Sequence, residues 1–257
     1  MIVAVDRLTD FYKLPKISVS VERCLPNHAG FGSKTTLLLT LGFAYCKLFD
    51  LDFNLKNIFK ILKRNSKSGV GSFAALYGGF IWENGFKSNI VTKDGGILPE
   101  LQEHFYPNSD FKIVHFRFDN GEIFGEKEEK LIMDSKDASN EEIKKVKDSI
   151  KDLIIPSLKN GNEEELQKGI KIIEENGLKV YEWSQQSKKT LDFVEYYKKS
   201  KFPLSLGLSS WGPTMYFVTK HPKTAIDFIN RYNINKPLHL QVSSIATEGF
   251  KFKEQYI

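Results

Sequence analysis

The chain has 257 residues, 41% of them hydrophobic and 13% aromatic, with 20 phenylalanines. This excludes a disordered polypeptide and supplies apolar material for one large core or two modest ones. Its 37 Lys+Arg and 32 Asp+Glu give a net charge of +5; the two signs are interspersed, unlike the concentrated basic stripe of a nucleic-acid binder.

The opening segment MIVAVDRLTDFYK carries charges too early for a signal peptide, and no apolar run approaches a membrane span. A cytoplasmic protein that contacts neither nucleic acid nor membrane is expected. Ile17 to Arg23 alternates apolar and polar residues and predicts a strand with one buried face. Cys24 and Cys46 stand outside any CxxC pair, which argues against a zinc cage or a disulfide framework, and both are expected to fill core space. After Leu25-Pro26 comes a glycine-containing turn, then Thr35 to Leu48, apolar on nearly every face and expected to be a helix buried on most sides. The glycine turn is thereby placed at a helix N-terminus.

Leu55 to Leu62 predicts a short amphipathic helix, followed by a basic turn at Lys63 to Lys67. Ser68 to Gly71 opens another short helix that ends at Gly78-Gly79. Strands are expected at Phe80 to Trp82 and Phe111 to Phe118, with a turn at Val91 to Pro99 between them. From Gly125 the texture changes to charged helices. Ser139 with Glu142 has the spacing of a capping box, Asn162 with Glu165 forms a similar start, and Ile143, Val146, Ile150, Leu153 and Ile154 keep helical spacing. A further helix covers Lys188 to Lys199. The remainder predicts strands at Leu204 to Leu206, Thr214 to Val218, Leu238 to Ser243 and Phe250 to Lys253. A small-residue turn at Gly207 to Pro213 and a helix from Pro222 to Tyr232 lie among them. Helices alternate with strands, so the class is α/β or α+β.

Three stretches can carry chemistry. In Pro26 to Thr36, glycines allow close backbone approach to an anion, and the following helix offers N–H groups and a positive dipole end. Ser33, Lys34 and Thr35 add donors there. Ser33 stands between Gly32 and Lys34, so the loop is not a Walker A motif; a tight turn without ligand would have the same spacing. In Arg64 to Ser72, two cations beside a small-residue loop suit a second phosphate, Arg64 through a bidentate fork and Lys67 as a point charge, or form a solvated basic turn. Gly207 to Thr214 places consecutive hydroxyl residues before a strand, which suits a ligand-contacting loop or an ordered turn with a packed Trp.

Together these stretches resemble the GHMP-kinase superfamily, whose phosphate loop reads Pro-x-x-x-Gly-Leu-Gly-Ser-Ser. More closely they resemble the archaeal beta-ribofuranosylaminobenzene 5'-phosphate synthase family of methanopterin-type cofactor biosynthesis. The resemblance rests on Pro26, His28 and Gly30-Phe31-Gly32-Ser33-Lys34-Thr35, on Ser68-Gly69-Val70-Gly71, on Gly78-Gly79-Phe80-Ile81 and on Ser209-Ser210-Trp211-Gly212-Pro213. The segment Gly125-Glu126-Lys127-Glu128 also has a counterpart there. Relative to that family the chain is expected to lack the usual N-terminal segment, and the edge this would leave in a sheet favours a homodimer.

The resemblance implies an α+β, GHMP-kinase-like, two-lobed fold, with an N-terminal domain over residues 1–125 and a ferredoxin-like C-terminal domain over 126–257. It also implies a transferase that joins the ribosyl carbon of phosphoribosyl pyrophosphate to a 4-substituted benzoate and releases pyrophosphate and CO₂. Phosphate binding is expected from Gly30, Gly32, Ser33, Lys34, Thr35, Arg64, Ser68, Gly69 and Gly71, and catalytic roles from His28 and Lys67. Glu83, Ser209, Ser210 and Gly212 are expected to touch substrate. Magnesium is expected with the pyrophosphate, without a side-chain metal cage, and no flavin, haem or zinc. The superfamily's hydroxyl kinases often carry an acid in the second loop, where this chain has Gly71. Two other readings remain, a non-catalytic truncated paralogue that binds a phosphorylated ligand and an ATP-dependent small-molecule kinase.

Overall fold

The computed structural model describes residues 2–63, 68–85, 98–108, 110–120, 123, 125–135 and 137–253. The chain forms two compact units. One contains residues 1–26, 32–106 and 246–257; the other contains 27–31 and 107–245. The segment from Pro107 to the expected division after residue 125, with its strand, therefore belongs to the second unit.

In the first unit, α1 (Ile2–Tyr12) buries Ala4, Val5 and Leu8 at helical spacing. Helix α2 (Ser33–Leu48) buries Leu39, Leu41, Tyr45 and Cys46, and α3 (Leu55–Ile61) closes the cluster with Ile58, Phe59 and Ile61. A Cβ on Gly42 would come within 2.6 Å of Ile58 Cγ2, so the bare glycine lets α2 and α3 approach closely. Helix α4 (Val70–Tyr77) follows. Then β1 (Phe80–Glu83) pairs antiparallel with β2 (Leu101–Phe105), with an irregularity between Trp82 and Glu83. The expected turn at Val91 to Pro99 lies largely outside the described residues.

The expected strand at Ile17 to Arg23 does not form. Ile17 and Val19 are half-buried and Ser18 and Ser20 exposed, so the alternation is real. A strand also needs a neighbour for its backbone, and no ladder includes this segment among the described residues. For the same reason Phe250 to Lys253 is not a strand. The stretch from Ala246 to Phe250 instead packs within the first unit: Gly79 N donates to Ala246 O at 2.6 Å, Phe250 stacks on Phe43 at 5.2 Å, and a Cβ on Gly78 would meet Glu248 O at 2.6 Å. Cys46 is fully buried as expected, whereas Cys24 is exposed; its apolar neighbours sit on this unpaired stretch rather than in the core.

The second unit begins with β3 (Lys112–Arg117). Helices α5 (Gly125–Asp134) and α6 (Asn140–Ser149) follow, the latter with a complete capping box between Ser139 and Glu142. A π-helical turn, Ile150–Ile154, leads into α7 (Ile155–Asn160). Next come α8 (Glu163–Glu174), capped by Asn162, then α9 (Leu178–Ser184) and α10 (Lys188–Ser200). Strands β4 (Gly207–Leu208) and β5 (Met215–Thr219), helix α11 (Pro222–Arg231) and strand β6 (His239–Ser244) complete the unit. The strand expected at Leu204 to Leu206 is displaced to Gly207-Leu208, because Ser205 gives its N–H to Gln167 Oε1 at 2.6 Å instead of to a ladder.

The sheet is antiparallel with order β4-β5-β3-β6. Counted from β3, this is second, third, first, fourth, the order of the ferredoxin-like split βαβ arrangement. One sheet face carries Val114, Phe116, Met215 and Phe217 into a core with Phe193 of α10 and Ala225, Phe228 and Ile229 of α11. The opposite face carries His115, Tyr216 and His239, as the alternation of a strand requires.

Candidate active site

In the second unit, Asn27 to Phe31 lies against the turn after β4. Gly30 has φ +81°, and a Cβ there would collide with the carbonyl oxygen of Ser209. Ser209 Oγ in turn donates to Gly30 O at 3.0 Å. The first and third stretches picked from the sequence are thus brought together by residues 179 positions apart. The turn is held from behind. Gly212 N donates to Ser209 O at 3.0 Å and Ser209 N to Thr214 O at 2.9 Å. Gln186 Nε2 donates to Trp211 O at 3.1 Å, and the Gln186 amide oxygen fills the space a Gly212 side chain would need. Ser210 and His28 are both exposed and both in the left-handed region, at φ +52° and +55°.

The chain passes from Phe31 directly to Gly32, the N-cap of α2. Gly32 has φ +64° and ψ +26°, and no side chain caps the helix. A Cβ on Gly32 would meet nothing within 4 Å, so glycine serves conformation there and not space. Ser33 and Thr35 are buried in the first turn, and Lys34 is exposed. The start of α4 lies beside them: a Cβ on Gly71 would stand 4.0 Å from Thr35 Cγ2. This second N-terminus already holds a carboxylate. Glu83 Oε1 accepts from Gly69 N at 3.2 Å and Ser68 Oγ at 3.1 Å, and Oε2 accepts from Gly85 N at 2.6 Å. Arg64 and Lys67 lie outside the described residues.

One group escaped the sequence reading. His239 Nε2 and His115 Nδ1 are 3.0 Å apart, and His115 Nε2 lies 2.9 Å from Ser243 Oγ. Phe31 packs edge-on against both imidazoles, at 5.3 and 6.2 Å. Burial lowers the pKa of His115, helped by His239; burial also lowers that of His239, helped by Arg117. The two histidines are 124 residues apart on strands, and nothing in the local sequence pairs them.

No family model matches the chain. It is 26% identical over 211 residues to the beta-ribofuranosylphenol 5'-phosphate synthase of Methanocaldococcus jannaschii, covering 78% of this chain and 62% of that protein. The synthase of the same name from Archaeoglobus fulgidus is 27% identical over 202 residues, covering 75% and 61%. This chain is thus similar to the beta-ribofuranosylphenol 5'-phosphate synthases over about three quarters of its length. It spans less than two thirds of the length of these curated relatives. Among solved structures, homoserine kinase from Cytophaga hutchinsonii superposes with a TM-score of 0.62 at 11% identity, over 96% of this chain and 76% of that one. The fold is therefore that of the GHMP-kinase superfamily, mixed α and β as expected. No helix among the described residues is long and apolar enough to cross a membrane.

Proposed function

We propose that the chain transfers a 5-phosphoribosyl group from phosphoribosyl pyrophosphate to a 4-substituted benzoate with loss of CO₂, as a step in methanopterin-type cofactor biosynthesis. The observation that carries this reading is the similarity to the synthases over 75–78% of the chain; the Gly30–Ser209 contact joins two of the stretches that match their pattern. The names of those relatives specify a ribofuranosylphenol product, so 4-hydroxybenzoate is the acceptor of first choice.

The reaction breaks the bond from ribosyl C1 to the pyrophosphate oxygen and forms a bond from C1 to the carboxyl-bearing ring carbon. The carboxylate then leaves as CO₂, and its bonding electrons restore the aromatic ring. Two demands follow, charge stabilisation on the departing pyrophosphate and alignment of the ring carbon with C1. In this reading the first turn of α2, with Ser33, Lys34 and Thr35, takes phosphate, and Arg64 and Lys67 add positive charge. His28, exposed at the loop's edge, protonates the leaving group or positions the benzoate carboxylate. Ser209 and Ser210 border the acceptor, and Glu83 orders the Ser68-Gly69 backbone.

Among the described residues no group of three or more His, Cys, Asp or Glu could hold a metal ion. Magnesium enters this reading as the complex of the pyrophosphate substrate. A kinase that uses the second-loop acid is disfavoured because Gly71 supplies no base. We also assign the protein to the cytoplasm and to a homodimer, which light scattering of the purified chain tests.

The deciding experiment supplies phosphoribosyl pyrophosphate, magnesium and carboxyl-labelled 4-hydroxybenzoate and follows labelled CO₂. Release that is lost in Lys67→Ala supports the reading. A folded chain that binds the phosphosugar without release overturns it in favour of a non-catalytic paralogue.

A further inference from the structure

Helices α8, α9 and α10 and the chain entering β4 border an open cleft of about 700 Å³ in the second unit, within the range of small-molecule sites. Its apolar wall includes Trp183, Val194, Tyr197 and Phe202. Val180 and Leu191 also line it and remain 51% and 39% exposed, so folding leaves their apolar surface uncovered.

The cleft's polar side is basic. Lys171, Lys198 and Lys201 all border it. Elsewhere on α8 and α10, Lys168, Lys188 and Lys199 are held by carboxylates one turn away, at 2.8, 2.8 and 2.6 Å. Lys171 reaches Glu175 only at 3.9 Å, and Lys198 and Lys201 have no ion-pair partner among the described residues. Of the two acids in the wall, Glu174 is already committed, while Glu175 is exposed and faces Lys171 at 3.9 Å. Glu174 is 7% exposed, and its oxygens accept from Trp183 Nε1 at 3.0 Å and Tyr216 OH at 3.3 Å. It also accepts the Leu208 backbone N–H, and burial raises its pKa. An entering anion thus meets three ammonium groups against one carboxyl whose lone pairs are engaged, Glu174, and one exposed carboxylate, Glu175.

From the apolar wall and the three loosely paired lysines, we propose that this cleft is a second ligand site, specific for a small monocarboxylate with an apolar tail or ring. The apolar body packs on Trp183, Val194 and Phe202, and the carboxylate lies toward Lys171 and Lys198. This assignment does not depend on the transferase reading, since none of the cleft's residues has a role in it.

The test is calorimetric titration of the full chain with octanoate and, as its neutral counterpart, 1-octanol. Saturable octanoate binding at one site per chain is expected, weakened about tenfold or more in Lys171→Glu/Lys198→Glu, with 1-octanol affinity unchanged. Both lysines are exposed, so the double variant keeps its thermal midpoint within a few degrees. Leu191→Arg, which places a bulky cation at the half-exposed wall, should abolish 1-octanol binding. No saturable octanoate binding, or binding indifferent to the double charge reversal, overturns the proposal.

Discussion

Helices α2 and α4 start beside each other in the first unit, yet their N-termini are finished differently. At α4 the protein supplies its own anion: Glu83 takes the Gly69 N–H, the Ser68 hydroxyl and the Gly85 N–H. At α2 the cap is Gly32 in the left-handed region, and no side chain caps the helix. Two glycine loops that look equivalent in sequence thus have different electrostatic states. A helix N-terminus attracts one anion's worth of charge, and at α4 that place is filled from within. The proposed reaction would then be expected to take its external phosphate at α2.

The sharpest way to break this contrast is to give α2 an anion of its own. In Gly32→Asp a side chain finds space, since nothing stands within 4 Å of the Cβ position. Its carboxylate then competes for the first-turn N–H groups. Turnover should fall by about a hundredfold or more, while the thermal midpoint moves only by the strain of a non-glycine residue at positive φ, about 1 kcal/mol. A retained rate would place the phosphate elsewhere.

Emptying α4 is the converse experiment. Glu83→Ala removes three acceptor contacts and should cost about 1–3 kcal/mol in urea denaturation. If stability does not change, the carboxylate is an incidental neighbour and not a built-in cap.

The fully capped helix α6 supplies the reference for a purely structural N-terminus. Ser139→Ala disrupts the capping box and should cost about 1 kcal/mol with turnover unaltered. A fall in turnover would mean that caps of this kind reach the site.

The smallest effect concerns Phe31, which anchors the loop leading to α2 on the His115–His239 pair. Both histidines have folded pKa values below the unfolded value of about 6.5. The unfolded chain therefore binds more protons as acid is added. This contribution to stability is present above about pH 6.5 and declines as pH falls toward the lower folded values. His115→Gln/His239→Gln should flatten that slope in denaturant midpoints measured across pH; an unchanged slope would assign the titration to other groups.

Much of the fold was legible because its signals are local. Ser139 with Glu142, Asn162 before Glu163 and the alternation around Val114 and Phe116 each declare an element within a few residues. Failures came where an element depends on a partner. Ile17 to Arg23 alternates correctly but has no ladder, while Leu101–Phe105, whose Gln102, Glu103 and His104 interrupt the apolar pattern, is a strand because β1 lies beside it. Helix α1 also went unread, since its apolar face makes sense only against α2 and α3. The site divides similarly. The glycine loops announce themselves, but the Ser209 bond to Gly30, the Glu83 clasp and the histidine pair are contacts between distant positions.

The segment from Ala246 to Phe250 has a consequence for how the molecule is made. The ribosome delivers residues 32–106 before 107–245, yet Gly79 and Phe43 each have a partner in the stretch delivered after residue 245. During synthesis, residues 107–245 can close their sheet while the earlier unit still waits for its last pieces. Residues 32–106 therefore complete these contacts only once the stretch after residue 245 has been made.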